Sequence, residues 1–498
     1  MVLVEDRERH DPNNQGRYAS ILSPWMAFLI PLVVYLLSLR WYDYSYGFNV
    51  LAAQYALWTT HSFSLGVAND SIAPMIPNID IITYHGTYYT AYAPGLSLIS
   101  LPFAVIGFAL DGGKLLPSGD AMVMLEAFVA LTGALASVLV YKICMLYSKR
   151  VLPSLLAALT LAFSTPAWAF ASVIFPHDTT MFFALGGTYS ILHYFRVNPR
   201  RRYLLFAGVC IGIVSTLDYV ATILVIPIAI YILLQTASRR RVSMLVYGLK
   251  STAAASGSRF LIFLFTFMAT GPLVVLGYNE SVFGNPFIFS EEFFTNVPSG
   301  NQNLVGLVSR FNLDGLPIQA VYNLISLYRG IFILSPILVL GLYGLYRMFR
   351  SHNLKLDGAL FLSLFLCIYL PYSAWNDWAG GGSYGPRFLV AGLPFLTIPI
   401  IMIWSGASWS MRRRAYTGGL YFILFAIGAI TQGMGAITNA TPLTLEPGPP
   451  LVYQLTRFAL PSLFKAQLGV WFLHRQYPHG NLPVDLAFTV ILFGTILG

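Results

Sequence analysis

The chain has 498 residues, 56% of them hydrophobic and only 10% charged, with a mean hydropathy of +0.67. Soluble domains carry about 25% charged residues, so this composition excludes a water-soluble globule and points to an integral membrane protein. The net charge of +9 does not indicate nucleic acid, because the basic residues punctuate the apolar segments instead of forming a patch.

The first 20 residues carry mixed charge and lead into an apolar stretch with no small-residue cleavage site, so they are expected to stay in the cytoplasm rather than act as a cleavable signal. A helical span needs about 20 predominantly apolar residues. Taken in order, candidate spans fall at 21–39, 121–141, 152–174, 179–195, 203–217 and 219–235. They continue at 260–278, 330–348, 358–374, 388–404, 417–437 and 485–498. The last stops at Gly498 after about 14 residues, so the C-terminus reads as incomplete or half-inserted. Cys144, Cys210 and Cys367 all fall inside apolar stretches and propose neither a disulfide framework nor a metal site.

With the N-terminus in the cytoplasm, 20 of the 29 Lys and Arg residues fall in inner loops, among them the runs Arg200–Arg202, Arg239–Arg241 and Arg412–Arg414. That is the asymmetry of the positive-inside rule. The acids go the other way, with only 5 of the 20 carboxylates on the inner side. Acids contribute little to orientation, so this bias hints that the outer face holds the chemistry.

Two outer segments are long, 40–120 and 279–329. In the first, Phe48, Leu51, Ala52, Tyr55 and Trp58 recur at helical spacing with Asn49 and Gln54 off that face, which predicts a helix on the membrane surface. Leu96–Leu110 is apolar but carries Pro102 and is short, and a crossing here would put every later basic loop outside. It is therefore expected to be interfacial or re-entrant. The expected organisation is a cytoplasmic segment 1–20, a transmembrane domain 21–437 and a C-terminal segment 438–498.

The outer residues that could carry chemistry each have a plainer alternative. Asp43 sits among Trp41, Tyr42, Tyr44 and Tyr46, an aromatic belt at headgroup depth. It reads either as a solvated helix cap or as a partly desolvated general base. His177 and Asp178, in "SVIFPHDTT", are a site or a turn with Asp178 capping the next helix. Asp218, in "VSTLDYVAT", ends a short span or lies in the membrane.

The densest stretch is "YSAWNDWAGGGSYGPRFL". Its three adjacent glycines allow backbone to approach a ligand, and Trp375, Trp378 and Asp377 flank them. Arg387 lies at the outer end of the next span, against the charge rule, where a guanidinium suits a phosphate. Arg329 and Lys114 occupy equivalent outer boundaries, with snorkelling to lipid phosphates as the plainer account of all three. Three glycosylation sequons begin at Asn69, Asn279 and Asn439.

These pieces together resemble the GT-C superfamily of polytopic glycosyltransferases, in particular a prokaryotic branch near the protein mannosyltransferase and aminoarabinose transferase group. The resemblance rests on "YDYSYGFNVLAAQYALWTTHSFSLG", "HGTYYTAYAPGLSLISLPF", "SVIFPHDTTMFFAL" and "STLDYVATILVIPIAI". It continues through "GYNESVFGNPF", "YRGIFILSPILVLGLYG" and "WNDWAGGGSYGPRFLVAGLPFL", in order over about residues 20 to 405.

It implies an all-α polytopic membrane protein, a bundle of about 12 transmembrane helices with a helical first outer loop. It further implies a hexosyl- or pentosyltransferase, inverting, that uses a polyprenyl-phosphate sugar at the outer face of the plasma membrane. The acceptor is a glycan, lipid or protein. Asp43 matches the position of the family's first-loop acid, with Asp178 and Asp218 as the other catalytic candidates. Arg387, Arg329 and Lys114 would receive the donor phosphate. Tyr88, Tyr92 and His177 would contact substrate, as would Trp375, Asp377, Trp378, Gly381 and Tyr384.

Many relatives carry two adjacent acids where Asp43 is followed by Tyr44, which counts against a metal there. No cofactor is called for, and a divalent metal stays open. The rival readings are a transporter or flippase of lipid-linked glycans, and a glycan polymerase or ligase. Spans nearly free of charge and the absence of a repeat weigh against the transporter.

Overall fold

A computed structural model describes residues 12–40, 45–66, 81–116, 119–247, 253–290, 310–381, 383–404, 411–438, 460–465, 468–477 and 479–497. The fold is helical, polytopic and membrane-embedded, and among the described residues five helices are long and apolar enough to cross a bilayer. Helix α1 (Pro12–Leu37) carries Pro24 and Pro31 and ends where the Ser38 N–H donates to the carbonyls of Val34 and Tyr35.

After it come α2 (Ser45–Thr60), a hairpin of β1 (Ile81–Tyr84) and β2 (Thr87–Thr90), and the short helices α3 (Gly95–Ile99) and α4 (Leu101–Leu110). The antiparallel hairpin pairs Ile81 with Thr90 and turns at His85–Gly86, both with positive φ. At 1.5 Å per residue, α3 and α4 together fall short of the roughly 30 Å hydrocarbon core.

The expectation for α2 is corrected. It does not present a polar face to water: Asn49 and Gln54 are fully buried. The Gln54 amide donates to the Ser97 carbonyl at 3.1 Å and the Ser100 hydroxyl at 2.8 Å. The Gln54 side of α2 is covered by α3, which the helical period alone could not reveal.

Helix α5 (Asp120–Ser148) starts where the Asp111 carboxylate accepts the N–H groups of Asp120 and Ala121 at 2.9 and 3.0 Å. It packs against α1, α4, α6 (Val151–Ser164) and α8 (His177–Arg196), with the short α7 (Ala167–Ala171) between the last two. Next, α8 packs on α9 (Arg201–Leu217), and α9 on α11 (Ala253–Thr270), the helix after α10 (Val225–Tyr247). The α9–α11 contact needs small residues. A Cβ on Gly208 would lie 2.5 Å from the Phe263 carbonyl oxygen, and one on Gly212 would lie 2.8 Å from that of Phe267. This four-residue spacing of glycines lets two membrane helices touch through their backbones.

Beyond α12 (Pro272–Phe283) and α13 (Leu316–Ile325), two expected spans prove irregular. The 330–348 stretch breaks at Ser335–Pro336 into a turn, Ile331–Leu334, and α14 (Leu338–Arg350). The 388–404 stretch is mostly 3-10 turns around one α-turn, Pro394–Thr397. Proline removes the N–H that a continuous helix needs, and Pro336, Pro394 and Pro399 sit at those points. Helices α15 (Lys355–Ala374), α16 (Met411–Ile437) and α17 (Leu482–Leu497) follow.

Candidate functional site

Three breaks in regular helix meet at one recess: the α7–α8 connection, the end of α9, and the turn entering the 387–404 stretch. Its lining includes Tyr46 and Tyr92 from the first long segment, Phe175 and His177, Asp218, and Tyr372 with Arg387 and Phe388. It holds about 470 Å³ of space outside the protein atoms, part of it open.

Helix α9 ends because Asp218 adopts an extended conformation, φ −154° and ψ 109°. Its Oδ1 accepts the Ala221 N–H at 3.1 Å, starting the next turn, and its Oδ2 accepts the Tyr372 hydroxyl at 2.5 Å. Burial pushes the Asp218 carboxyl above the usual carboxylate range, against the opposing pull of Tyr372 and the backbone N–H groups of Ala221 and Val220. Tyr372 stacks on Phe388 at 4.7 Å between centroids, with the planes 1° apart.

The Arg387 guanidinium lies over that same Phe388 ring at 4.7 Å and over Phe175 at 5.0 Å. Its Nε has no hydrogen-bond partner among the described residues. His177 stacks on Phe175 at 5.7 Å and meets Phe388 edge-on at 5.8 Å. A cation and an acid thus face one aromatic-walled recess, linked by two stacked rings. Such a place suits an anionic group beside a polyhydroxyl one.

Other predicted residues lie elsewhere. Asp43 falls outside the described residues; Tyr46, three positions on, lines the recess and packs on Tyr92 at 4.1 Å and Phe175 at 5.2 Å. Asp178 is fully buried in the first turn of α8, and neither carboxylate oxygen has a hydrogen-bond partner among the described residues, so it does not cap the helix. Lys114 is exposed after α4 and does not line the recess.

Tyr88 sits on β2, where its backbone pairs with Leu65 and Gly66. Trp375 packs on Phe311 at 5.2 Å and Trp378 on Tyr322 at 5.7 Å. Asp377 is exposed and accepts the Gly381 N–H at 3.2 Å. Tyr384 is buried, with its hydroxyl donating to the Thr431 carbonyl at 2.7 Å. Arg329 is fully buried, and its guanidinium bonds the glycine loop, including the Gly381 carbonyl at 2.6 Å. The Asn279 side chain is also fully buried, with its amide donating to the Pro286 carbonyl at 3.0 Å, so this sequon is closed in the fold.

Sequence reasoning missed Tyr46 as a lining residue, and missed Phe175, Tyr372 and Phe388. Their only local signal is adjacency to residues already chosen. It also missed Arg40, buried at the end of α1, whose Nε donates to the Ala436 carbonyl at 3.1 Å and whose Nη2 donates to Gly435. Among the described residues, no group of three or more His, Cys, Asp or Glu side chains is placed to hold a metal.

A family model of dolichyl-phosphate-mannose-protein mannosyltransferases matches residues 105–263, less than half of the chain. That match contains two of the segments that carried the resemblance, with Asp178 and Asp218. Comparison with curated proteins finds no match.

Among solved structures, ArnT from Cupriavidus metallidurans bound to undecaprenyl phosphate is 15% identical, with a TM-score of 0.49 over 95% of this chain and 77% of that one. The oligosaccharyltransferase of Archaeoglobus fulgidus, in the apo form, is 12% identical with a TM-score of 0.48 over 83% of this chain. The archaeal oligosaccharyltransferase AglB from the same organism, in complex with an inhibitory peptide and a dolichol-phosphate, is 12% identical with a TM-score of 0.47. The chain spans 56% of the length of each of these two oligosaccharyltransferase chains.

Proposed function

We propose that this protein transfers a sugar, with inversion, from a polyprenyl-phosphate donor to a glycan, lipid or protein acceptor at the outer face of the plasma membrane. The observation that carries the reading is the recess in which the Arg387 guanidinium, its Nε unpartnered among the described residues, shares aromatic walls with the Asp218–Tyr372 pair. The family match over 105–263 supports the same class of reaction. The cytoplasmic placement of the N-terminus rests on the arginine runs of the inner loops.

In this reading the donor phosphate lies against Arg387. The acceptor oxygen attacks the anomeric carbon from the opposite side as the bond to the phosphate oxygen breaks. The electron pair of that bond leaves with the polyprenyl phosphate, and Arg387 stabilises the charge that develops there. The acceptor hydroxyl proton passes to Asp43. Asp218, held by Tyr372 and the Ala221 N–H, accepts hydrogen bonds from sugar hydroxyls and orients the ring.

The test is purified protein in nanodiscs incubated with a panel of polyprenyl-phosphate sugars. Consumption of one donor, with release of the polyprenyl phosphate, is the expected result. Asp43→Asn should lower turnover about 100-fold or more, a typical general-base contribution, with donor binding near normal. Arg387→Ala should weaken donor binding as well as turnover, and Arg387→Lys should restore it only in part, because it keeps the charge and loses the fork. Near-normal transfer by Asp43→Asn would move the base to Asp178 or Asp218. Failure to consume any donor, with uptake of a solute into sealed vesicles instead, would refute the enzyme.

A further inference from the structure

Arg329 stands next to the recess machinery, in the turn between α13 and the Ile331–Leu334 turn, and is fully buried. Its Nη1 donates to the Ser383 hydroxyl at 3.1 Å and to the Gly385 carbonyl. Its Nη2 donates to the Gly381 carbonyl at 2.6 Å and to the Tyr328 hydroxyl at 3.1 Å. The four N–H groups of the two terminal nitrogens therefore meet four acceptors, which leaves only Nε without a partner among the described residues. Three of those acceptors come from the glycine-rich loop.

That loop turns through the left-handed region at Gly380, Gly381 and Gly385, with φ of 72°, 58° and 69°. Carbonyls converging on one point repel each other unless a cation sits there, and Arg329 is that cation. Arg387 emerges from the same loop, its N–H donating to the Gly385 carbonyl at 3.1 Å. The loop also cradles the Arg387 stem: a Cβ on Gly380 would lie 2.9 Å from both Cγ and Nε of Arg387. The shape of the loop decides where the Arg387 guanidinium points, and Arg329 holds that shape.

We propose that Arg329 is a positioning residue that acts through Arg387, folding the 380–387 loop around its own guanidinium and making no contact with the donor phosphate. The proposal rests on the reading that Arg387 receives that phosphate. Both arginines were candidates for phosphate contact on sequence grounds, and the hydrogen bonds divide the roles between them. A lysine at 329 keeps the charge, but its single nitrogen cannot reach acceptors spread over both arms of the fork.

The test combines kinetics with hydrogen exchange on the full-length protein in nanodiscs, using the polyprenyl-phosphate sugar that the panel identifies. Arg329→Lys and Arg329→Ala should raise the donor KM about 10-fold or more and speed amide exchange in 380–387. Ser383→Ala removes one acceptor without touching charge and should give the same pattern in weaker form, about 3-fold.

The deciding variant is Arg329→Ala combined with Arg387→Ala. A positioning residue has nothing left to position once its partner is gone, so the pair should match Arg387→Ala within about 2-fold. Losses that multiply in the double variant would overturn the proposal, because they mean that Arg329 contacts the donor independently. Unchanged exchange in the loop of Arg329→Lys would overturn it as well. An unchanged donor KM in Arg387→Ala overturns instead the phosphate reading on which the proposal stands.

Discussion

Asp357 offers a sharp test of what ties the bundle together away from the recess. It lies in the first turn of α15 and is 1% exposed. Its Oδ2 accepts the Tyr147 hydroxyl at 2.8 Å and a nitrogen of Arg196, while its Oδ1 accepts the Tyr231 hydroxyl at 2.8 Å. Gln235 donates to that second phenol at 3.1 Å, and the Arg196 guanidinium lies over the Tyr147 ring at 4.9 Å. One carboxylate therefore joins α5, α8, α10 and α15.

Asp357→Ala leaves a guanidinium and two phenols without their acceptor. Removing one partner of a buried ion pair costs about 3–5 kcal/mol. The Arg196 side chain is 27% exposed and can turn toward water, which places the expectation near the lower end, about 3 kcal/mol. The two phenol bonds to a charged acceptor work in the opposite direction, but the terms share one centre and do not add. The assay is denaturant unfolding of purified protein in mild detergent, with Arg196→Ala and the double variant alongside. The double variant should cost clearly less than the sum of the singles. A loss under about 0.5 kcal/mol for Asp357→Ala is the behaviour of a surface site and would refute the reasoning.

Asp218 carries a pH signature. Its carboxyl is raised by burial, so the folded state holds a proton that the unfolded chain has released above about pH 4. Its contribution is present below the unfolded value and is lost as pH rises through the folded one. Melting curves from pH 4 to 7.5 should show wild type losing stability relative to Asp218→Asn, and Tyr372→Phe should extend the loss to higher pH; parallel curves would contradict this. Gly435→Ala would place its Cβ 2.2 Å from the Tyr384 ring, costing about 1–3 kcal/mol and raising the donor KM through the glycine loop. Tyr384→Ala in that background should recover part of the stability, and no recovery would sever the link.

The site was legible in fragments. "VSTLDYVAT", "IFPHDTT" and "GGGSYGPRFL" could each be chosen locally, because an acid, a histidine or an arginine at the end of an apolar run is conspicuous against its surroundings. That Asp218 meets Tyr372, 154 residues away, is not a local property, and no hydropathy window registers it. The two arginines looked alike for the same reason. Both end up beside one loop, and only the direction of the carbonyls at Gly381 and Gly385 distinguishes the guanidinium whose two terminal nitrogens the loop bonds from the one that lines the recess.

The sequence by itself determined the solvent and the rough ends of the helices. Burying a charge in lipid is costly at every position, so a chain destined for the bilayer announces it residue by residue. Arginine runs determined the expected sidedness in the same local way. Tertiary structure decided which polar groups are hidden. Helix α2 looked half-solvated until α3 covered Gln54, and Arg329 looked available until the glycine loop closed on it. A side chain's pattern records what it can bond, but which acceptor reaches it first depends on segments far away in the chain.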